Sequence, residues 1–291
     1  MNIPFTKMHG IGNNYIYLDL FAHEFDESIF TQLAIDISNV NTGIGSDGLI
    51  LIHPSDVADV GMRIFNKDGS EGQNCGNGLR CVAKYVYENH LVSNKIFKIE
   101  TKAAVVTAEV FGDRACIDQV TVDMGPPLLH RSQIPMQGPE NQQVIAEDFQ
   151  VGDHALKVTA LFLGNPNAVF FVDKIEEAPL HELGSIVTID PRFPNRANVE
   201  FVEIVSDKEI NFRVWERGSG VTEACGTGAC AAVVASVLNG YVQKDTAVTV
   251  HLSGGDLTIK WATDGRVWMT GPAETITQGI FYWRSPFTST F

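Results

Sequence analysis

The chain has 291 residues, of which 44% are hydrophobic and 19% charged, so it can bury the core of one large domain or of two ordinary ones and is not expected to be disordered. A formal net charge of −14 at pH 7 repels phosphate backbones and argues against nucleic acid as a partner. No apolar stretch is long enough to span a membrane, and the N-terminal segment lacks the apolar core of a signal peptide, which predicts a cytoplasmic protein.

The cysteines show neither a metal-binding nor a disulfide pattern. The chain contains no CxxC pair and no Cys–His cluster, so a metal site is not expected. An odd number of cysteines at scattered spacings is a poor disulfide framework, in keeping with a reducing compartment. The five cysteines are Cys75, Cys81, Cys116, Cys225 and Cys230.

In chain order, the first predicted feature is a turn at Gly12–Asn13 that leads into the apolar strand YIYLDLF. The segment Gly43–Gly48 fits the pattern G-x-G-x-x-G, but LILIH follows it and predicts a strand where a dinucleotide site needs a helix. A further strand, MRIFN, is followed by a loop and by the motif Cys75-Gly-Asn-Gly. A mostly apolar helix is predicted to begin at Gly76 and to stop near Asn89.

The second half of the chain repeats this order. A turn at Gly164–Asn165 precedes an apolar stretch, and the strand NFRVWE leads through a loop of the same length to Cys225-Gly-Thr-Gly and a helix from Gly226 to Asn239. Coincidence between glycine-rich loops, the alternative, does not explain why strand, loop, motif and helix recur in one order. Shifted by 150 residues without a gap, the matched pairs are Arg63 and Arg213, Phe65 and Trp215, Asn66 and Glu216, Lys67 and Arg217, Cys75 and Cys225, Gly76 and Gly226, and Gly78 and Gly228.

Strands outnumber helices in the rest of the chain. VVTAEV, CIDQVTVDM, VEFVEIV, AVTVHL, DLTIKW and RVWMTG have the β-branched and alternating patterns typical of strands. We therefore predict an α+β fold of two homologous domains, each a β-barrel-like curved sheet around a central α-helix, related by pseudo-twofold symmetry. The predicted domains are residues 1–125, to which the C-terminal tail 275–291 returns, and residues 126–274.

The two matched cysteines stand where a thiol becomes reactive. Cys75 and Cys225 each precede a predicted helix, whose N-terminus carries unpaired N–H groups and a partial positive charge that lower the pKa of a thiol. The glycines that follow leave N–H groups open to an anion such as a carboxylate. A single buried cysteine is usually structural. Two cysteines at matched positions of the two halves instead favour a catalytic site for an amino acid. There one thiolate would remove the α-proton and the opposite thiol would return a proton. Such a reaction needs no pyridoxal phosphate in principle.

Polar residues accompany the cysteines, several at matched positions of the two halves. Each asparagine has an alternative interpretation as a turn residue that bonds its own backbone, and Arg217 has one as a solvated charge at a strand end. Glu216 and Arg217 are neighbours on a strand and would point to opposite faces unless the chain turns sharply at Gly218. The polar candidates are Asn13, Asn66, Asn165, Asn198, Glu216 and Arg217.

The sequence closely resembles the diaminopimelate epimerase family. The resemblance rests on KMHGIGNNY, FNKDGSEGQNCGNGLRC, GNPNAV, ANVEF and ERGSGVTEACGTGACA, which span nearly the whole chain. It implies an isomerase that converts LL-2,6-diaminopimelate to the meso form, on the route to lysine and peptidoglycan precursors. It also implies two barrel-like domains whose cleft closes on a small amino-acid substrate, no cofactor, and a homodimer.

The resemblance also assigns roles to residues. Cys75 and Cys225 correspond to the two acid/base thiols, and Glu216 and Asn165 to residues near the reacting amino group. The reacting carboxylate would be held by the backbone at Gly76, Asn77, Gly226 and Thr227. The distal end of the substrate would be recognised by Asn13, Asn66, Asn198 and Arg217.

One position departs from the family pattern. The family usually has GNPHAV, with a histidine thought to assist a catalytic cysteine, whereas this chain has Asn167, which can neither act as a base nor carry a positive charge. Three alternatives therefore stay open. They are a related cofactor-independent racemase for another amino acid such as histidine, a binding protein that has lost catalysis, and a thiol enzyme with a covalent intermediate.

Overall fold

A computed structural model describes residues 1–72 and 76–284 of the chain. Cys75, a predicted catalytic residue, lies outside the described residues. The chain divides into two compact units, which we call unit 1 (Met1–Val122 and Gly271–Phe291) and unit 2 (Asp123–Thr270). Among the described residues, no helix has the length and apolar character needed to cross a membrane.

Unit 1 begins with strands that flank two α-helices. Helix α1 spans Phe30–Ser38 and helix α2 spans Gly76–Glu88. The strands are β1 (Asn2–Gly10), β2 (Asn13–Asp19), β3 (Gly48–His53), β4 (Val60–Asn66), β5 (Glu71–Gly72), β6 (Ile96–Glu100), β7 (Val105–Asp113) and β8 (Cys116–Asp123). The segment after the G-x-G-x-x-G pattern is thus a strand, β3.

After its first strand, unit 2 has the same kinds of element in the same order as unit 1. Helix α3 spans Leu180–Val187 and helix α4 spans Gly226–Leu238. Its strands are β9 (Val144–Val151), β10 (His154–Phe162), β11 (Pro166–Phe171), β12 (Asn198–Ser206), β13 (Glu209–Glu216), β14 (Gly220–Val221), β15 (Ala247–Leu252), β16 (Gly255–Trp261) and β17 (Val267–Gly271). A last strand, β18 (Glu274–Tyr282), pairs antiparallel with β1 in unit 1.

The two units share one strand topology. In unit 1 the strands pair in the order β18-β1-β2-β3-β4-β6-β7-β8, and in unit 2 in the order β9-β10-β11-β12-β13-β15-β16-β17. In both orders the third and fifth pairings are parallel and the others antiparallel. The predicted α+β fold is confirmed, and this matching topology is what a duplicated domain produces.

The helices cover the sheets from two sides. Helix α4 packs against β10, β11, β12, β13, β15 and β16, and helix α2 against β1, β2 and β7. Helix α4 is almost entirely Gly, Ala, Val and Cys, so it fits closely among strands on several sides. The shorter helices α1 and α3 were not predicted from the sequence, and they pack against β3 and β4 and against β9, β12, β13 and β14 respectively. Strands between two helices are buried on both faces, as β12 is over Asn198–Val202.

Candidate active site

Cys225 in unit 2 is held at the N-terminus of helix α4. It is the N-cap residue, its Sγ accepts a hydrogen bond from the Gly228 N–H at 3.4 Å, and only 4% of the residue is exposed. The Thr227 hydroxyl lies 3.5 Å from the same sulfur. Helix α4 begins at Gly226, as predicted. The thiol therefore sits among the first N–H groups of a buried helix, where a partial positive charge is available.

Asn198 connects this thiol to the rest of the predicted site. Its Nδ2 lies 3.9 Å from Cys225 Sγ, and its Oδ1 accepts a hydrogen bond from the Arg217 backbone N–H at 2.9 Å. The Arg217 guanidinium donates to Asn165 Oδ1 at 2.6 Å and to the Asn195 carbonyl at 2.9 Å. Asn165, Asn198, Arg217 and Cys225 thus form one connected polar cluster.

A tight turn after β13 brings Glu216 and Arg217 to the same cluster. Gly218 has a φ of +92°, which favours glycine, and the Ser219 N–H bonds the Glu216 carbonyl. Glu216 Oε1 accepts a hydrogen bond from the Thr222 hydroxyl at 2.5 Å. The sharp turn at Gly218 that the sequence analysis required is therefore present.

The electrostatic environment of Cys225 differs from the sequence prediction. Burial, and then the negative charge of Glu216, raise the pKa of the Cys225 thiol well above its usual value, and the Thr227 hydroxyl and Gly228 N–H offset this only in part. Glu200 would raise this pKa further if it were ionised. The prediction that the helix N-terminus lowers this pKa was wrong, because desolvation outweighs the helix field. The shift favours the protonated thiol, which is the form that carries a proton to donate.

Glu200, which lies on β12 two residues after Asn198, was not predicted from the sequence. It is fully buried, and neither side-chain oxygen has a hydrogen-bond partner among the described residues. Burial, and then the negative charge of Glu216, raise its pKa well above the usual value. Because side chains alternate between the two faces of a strand, the sequence could have placed Glu200 on the same face of β12 as Asn198. The sequence does not show that this face packs against helix α4.

Asn167, the departure from the family pattern, is fully buried on β11 directly beside Asn198 in the parallel register. Its Nδ2 donates to the Asn165 carbonyl at 2.7 Å, while its Oδ1 has no hydrogen-bond partner among the described residues. Asn167 therefore fixes the backbone at Asn165, whose side chain receives Arg217.

In unit 1, the predicted residues Asn13 and Asn77 belong to a second polar chain. Asn77, on helix α2, donates to Asn13 Oδ1 at 3.1 Å, and Asn13 donates to Asp47 Oδ2 at 2.9 Å. Arg80, one turn further along α2, donates to Asn77 Oδ1 at 2.9 Å and to the Pro272 carbonyl at 3.1 Å. Asp47 and Arg80 were not predicted, yet they fix the orientation of two residues that were.

The remaining predicted residues of unit 1 are Asn66 and Gly76. Asn66 ends β4 in a turn, where its Nδ2 donates to Ser70 Oγ at 3.0 Å and its backbone bonds Ser70 and Gly69. This is the turn-residue role that was the alternative interpretation of each asparagine. Gly76 is the first residue of helix α2 and is buried, which agrees with the predicted start of that helix.

Replacing Arg80 by methionine is expected to destabilise the protein by about 2–3 kcal/mol, because two buried carbonyl-type acceptors lose their donor. Arg80 is fully buried, so water does not replace the lost bonds without rearrangement. Urea denaturation measures the change. The control is Lys102→Met, which removes an exposed partner of Glu71 and should change the stability by less than about 0.5 kcal/mol. Equal shifts in the two variants would contradict this role of Arg80.

A family model and individual relatives of this chain point to the same protein family. A model of the diaminopimelate epimerase family matches residues 5–129 and 159–276. The diaminopimelate epimerase of Oceanobacillus iheyensis is 61% identical over 284 residues, covering 98% of this chain and 99% of that protein. That of Bacillus licheniformis is 56% identical over 278 residues, covering 96% of this chain and 98% of that protein.

Solved structures of low sequence identity share the fold. A Bacillus anthracis phenazine biosynthesis protein of the PhzF family aligns with a TM-score of 0.69 at 15% identity, covering 96% of this chain and 99% of that chain. A probable proline racemase from Agrobacterium radiobacter K84 aligns with a TM-score of 0.70 at 15% identity, covering 99% of this chain and 94% of that chain. At such identities the likeness concerns the fold alone.

The fold, the thiol site and the close relatives together define the class: the protein is an isomerase of the racemase and epimerase type. Within that class, the chain belongs to the diaminopimelate epimerase family, because the family model covers most of its length and the relatives match it nearly end to end.

Proposed function

We propose that this protein epimerises LL-2,6-diaminopimelate to meso-diaminopimelate, in the biosynthesis of lysine and of peptidoglycan precursors. The observation that carries the proposal is the connected cluster in unit 2. There the thiol of Cys225, which can donate a proton, is joined through Asn198 to the guanidinium-bearing Arg217 and to Asn165. An acid/base thiol and groups able to recognise an amino acid are thus held by one hydrogen-bonded network.

In the proposed reaction, two cysteines exchange protons with the α-carbon. The thiolate of Cys75 removes the α-proton, and the electron pair of the broken C–H bond moves onto the carboxylate. The Cys225 thiol then delivers its proton to the opposite face of the carbon, which leaves Cys225 as the thiolate and Cys75 as the thiol. The protons balance, and because the cysteines act as both base and acid, no cofactor is required in principle.

The proposed roles of the other residues follow the charges of the substrate. Backbone N–H groups at Gly76, Asn77, Gly226 and Thr227 would stabilise the charge that develops on the reacting carboxylate, since they belong to helix N-termini. Glu216, a carboxylate, and Asn165 would attract the reacting ammonium group. Arg217, with Asn13, Asn66 and Asn198, would bind the distal amino-acid end.

The test is a panel of amino acids incubated with the reduced protein in deuterium oxide, with deuterium uptake at the α-carbon followed by mass spectrometry. Diaminopimelate should take up deuterium and convert between its LL and meso forms, while histidine, proline and glutamate should not. Faster exchange with an amino acid that lacks a second α-amino acid end would overturn the proposed substrate. Histidine is the second candidate, because Asn167 stands where the family usually has a histidine.

We also propose a homodimer, as the family resemblance implies. One face of β18 presents three large apolar side chains to solvent, namely Ile276, Ile280 and Tyr282, which are 49%, 50% and 75% exposed. A second copy of this chain is a suitable cover for an exposed apolar strand face. Light scattering after size exclusion should give twice the mass of 31.9 kDa, and the mass of a single chain would contradict the proposal.

A further inference from the structure

The carboxyl group of Glu200 has no structural explanation within the fold of unit 2. The residue is fully buried on β12, and neither oxygen makes a hydrogen bond to a described residue. The N–H groups of Ala168 and of Glu200 itself favour the ionised carboxylate, but burial outweighs them. A buried group of this kind either carries a function or is replaced by an apolar one at little cost.

Glu200 and Cys225 share one small space beside helix α4. A methyl group added at Gly228 would lie 3.1 Å from Glu200 Oε1 and 3.3 Å from Cys225 Sγ, so both atoms line the space that this glycine leaves empty. Glu200 also lies on the same face of β12 as Asn198, whose amide contacts Cys225. Asn198 thus contacts Cys225 directly, and the Glu200 carboxyl group borders the same gap at Gly228 without a hydrogen bond to the thiol in this state.

The matched position in unit 1 shows that the fold does not need a carboxyl group there. Glu200 is opposite Val214 in the β12–β13 pair, and the equivalent residue of the β3–β4 pair is Ile50, opposite Ile64. Ile50 is also fully buried. One unit therefore fills this core position with an aliphatic side chain, and the unit that contains Cys225 fills it with a carboxyl group.

Burial, and then the surrounding negative charge, favour the neutral form of this carboxyl group. Glu216, on the neighbouring strand β13, and Cys225, before α4, are the ionisable groups that interact electrostatically with Glu200, and both add negative charge when they ionise. The nearby cation, Arg217, directs its guanidinium to Asn165 and Asn195 instead. Ionising Glu200 would place an unpaired charge in the interior, whereas the neutral form offers one O–H donor.

We propose that Glu200 is a positioning residue for Cys225: its neutral carboxyl group donates a hydrogen bond to the thiolate that Cys225 becomes once it has delivered its proton. No proton is transferred between the two groups in this step. The hydrogen bond stabilises the buried anion, and the neutrality of Glu200 avoids a further negative charge beside it. The proposal rests on the proposed function in that Cys225 must alternate between thiol and thiolate.

Two variants separate this role from packing. Glu200→Gln keeps the shape, the neutrality and a donor, and Glu200→Ile copies the side chain at the matched position of unit 1 and removes the donor. The pKa of Cys225 is read from the pH dependence of thiolate absorbance, by difference from the same protein carrying Cys225→Ala. We expect glutamine to titrate like the wild type, and isoleucine to lower the thiolate fraction at a given pH by roughly 10- to 100-fold, the usual effect of losing a hydrogen bond to a charged group.

Infrared spectroscopy tests the neutrality directly. The wild type at pH 7 should show the carbonyl stretch of a protonated carboxyl group that disappears in Glu200→Gln and persists in Glu203→Gln. Glu203 is the matched control, because it lies on the same strand and hydrogen bonds from Asn211 and the Ile175 N–H lower its pKa. An unchanged band in Glu200→Gln, or an isoleucine variant whose Cys225 titrates like the wild type, would overturn the proposal.

These measurements need no substrate, so they fail or succeed independently of the proposed function. Exchange with a different amino acid would remove diaminopimelate as the substrate and leave the Glu200–Cys225 pair intact. Conversely, a wild-type titration in Glu200→Ile would remove the pair and leave the epimerase activity intact. If isoleucine prevents folding, Glu200→Met removes the donor with an unbranched side chain, and the titration of Cys225 in that variant decides.

Discussion

Substituting Cys225 by alanine is expected to lower kcat for epimerisation by about 10²–10⁴-fold, the range that a positioned acid or base contributes. In the proposed reaction this thiol supplies a proton to the α-carbon, and alanine can neither donate nor accept one. The neighbouring Thr227 hydroxyl does not replace it, because a hydroxyl is a far weaker acid than a thiol. Conversion of LL-diaminopimelate to the meso form, followed by chiral chromatography, measures the loss.

Cys230→Ala is the matched control for Cys225→Ala. Cys230 is fully buried on helix α4, which begins directly after Cys225. Its substitution by alanine also removes one sulfur atom from the core of unit 2. Its effect should be limited to a modest loss of stability, with activity within a few-fold of the wild type. The assignment of Cys225 fails if both variants lose activity equally, or if Cys225→Ala keeps more than a tenth of the wild-type rate.

The second large effect is expected for Arg217→Met. The variant removes the charged donor from Asn165 and from the Asn195 carbonyl, and it removes the positive charge proposed to bind the distal carboxylate. Losing a hydrogen-bonded charge partner costs about 2–5 kcal/mol, which corresponds to a fall in kcat/KM of about 30- to 5,000-fold. Most of the change should appear in KM, because the distal end binds equally in the ground and transition states.

Arg213, on the strand β13 that ends just before Arg217, provides a control. Its guanidinium donates to the Phe212 carbonyl and to none of the site residues described above, so Arg213→Met should leave KM within about threefold of the wild type. The KM of Arg217→Lys should lie between those of Arg217→Met and Arg213→Met, because lysine keeps the charge but lacks the planar, forked arrangement of donors. Steady-state kinetics with diaminopimelate measure all three. An unchanged KM in Arg217→Met would show that Arg217 does not bind the substrate.

Much of the fold followed from local sequence patterns. The turns at Gly12 and Gly164 have φ values of +91° and +75°, and the helices begin at Gly76 and Gly226 as their motifs predicted. Such features depend on a few adjacent residues, so a sequence shows them directly. Helices α1 and α3 were missed because each is short and its apolar residues resemble those of the strands around it.

The candidate site was predicted less completely, and the omissions have a common cause. Asp47 and Glu200 act on residues that are distant in sequence, so no motif contains both partners. Arg80 follows Asn77 in the same motif, but its other partner, the Pro272 carbonyl, is far away in the sequence. The sign of the pKa shift of Cys225 was also missed. A helix N-terminus is visible in a sequence, whereas complete burial and the approach of Glu216 depend on how β12, β13 and α4 pack.

The pairing of β18 with β1 has a consequence for how the chain is made. Unit 2 is one continuous stretch of sequence, whereas unit 1 needs a strand that is translated after all of unit 2. Residues as far apart as Met1 and Trp283 are hydrogen bonded. During synthesis, unit 2 can fold as soon as it leaves the ribosome, while β1 must wait with one edge unpaired. Contacts between residues so far apart in sequence form slowly, so the assembly of unit 1 is expected to be the rate-limiting step of folding.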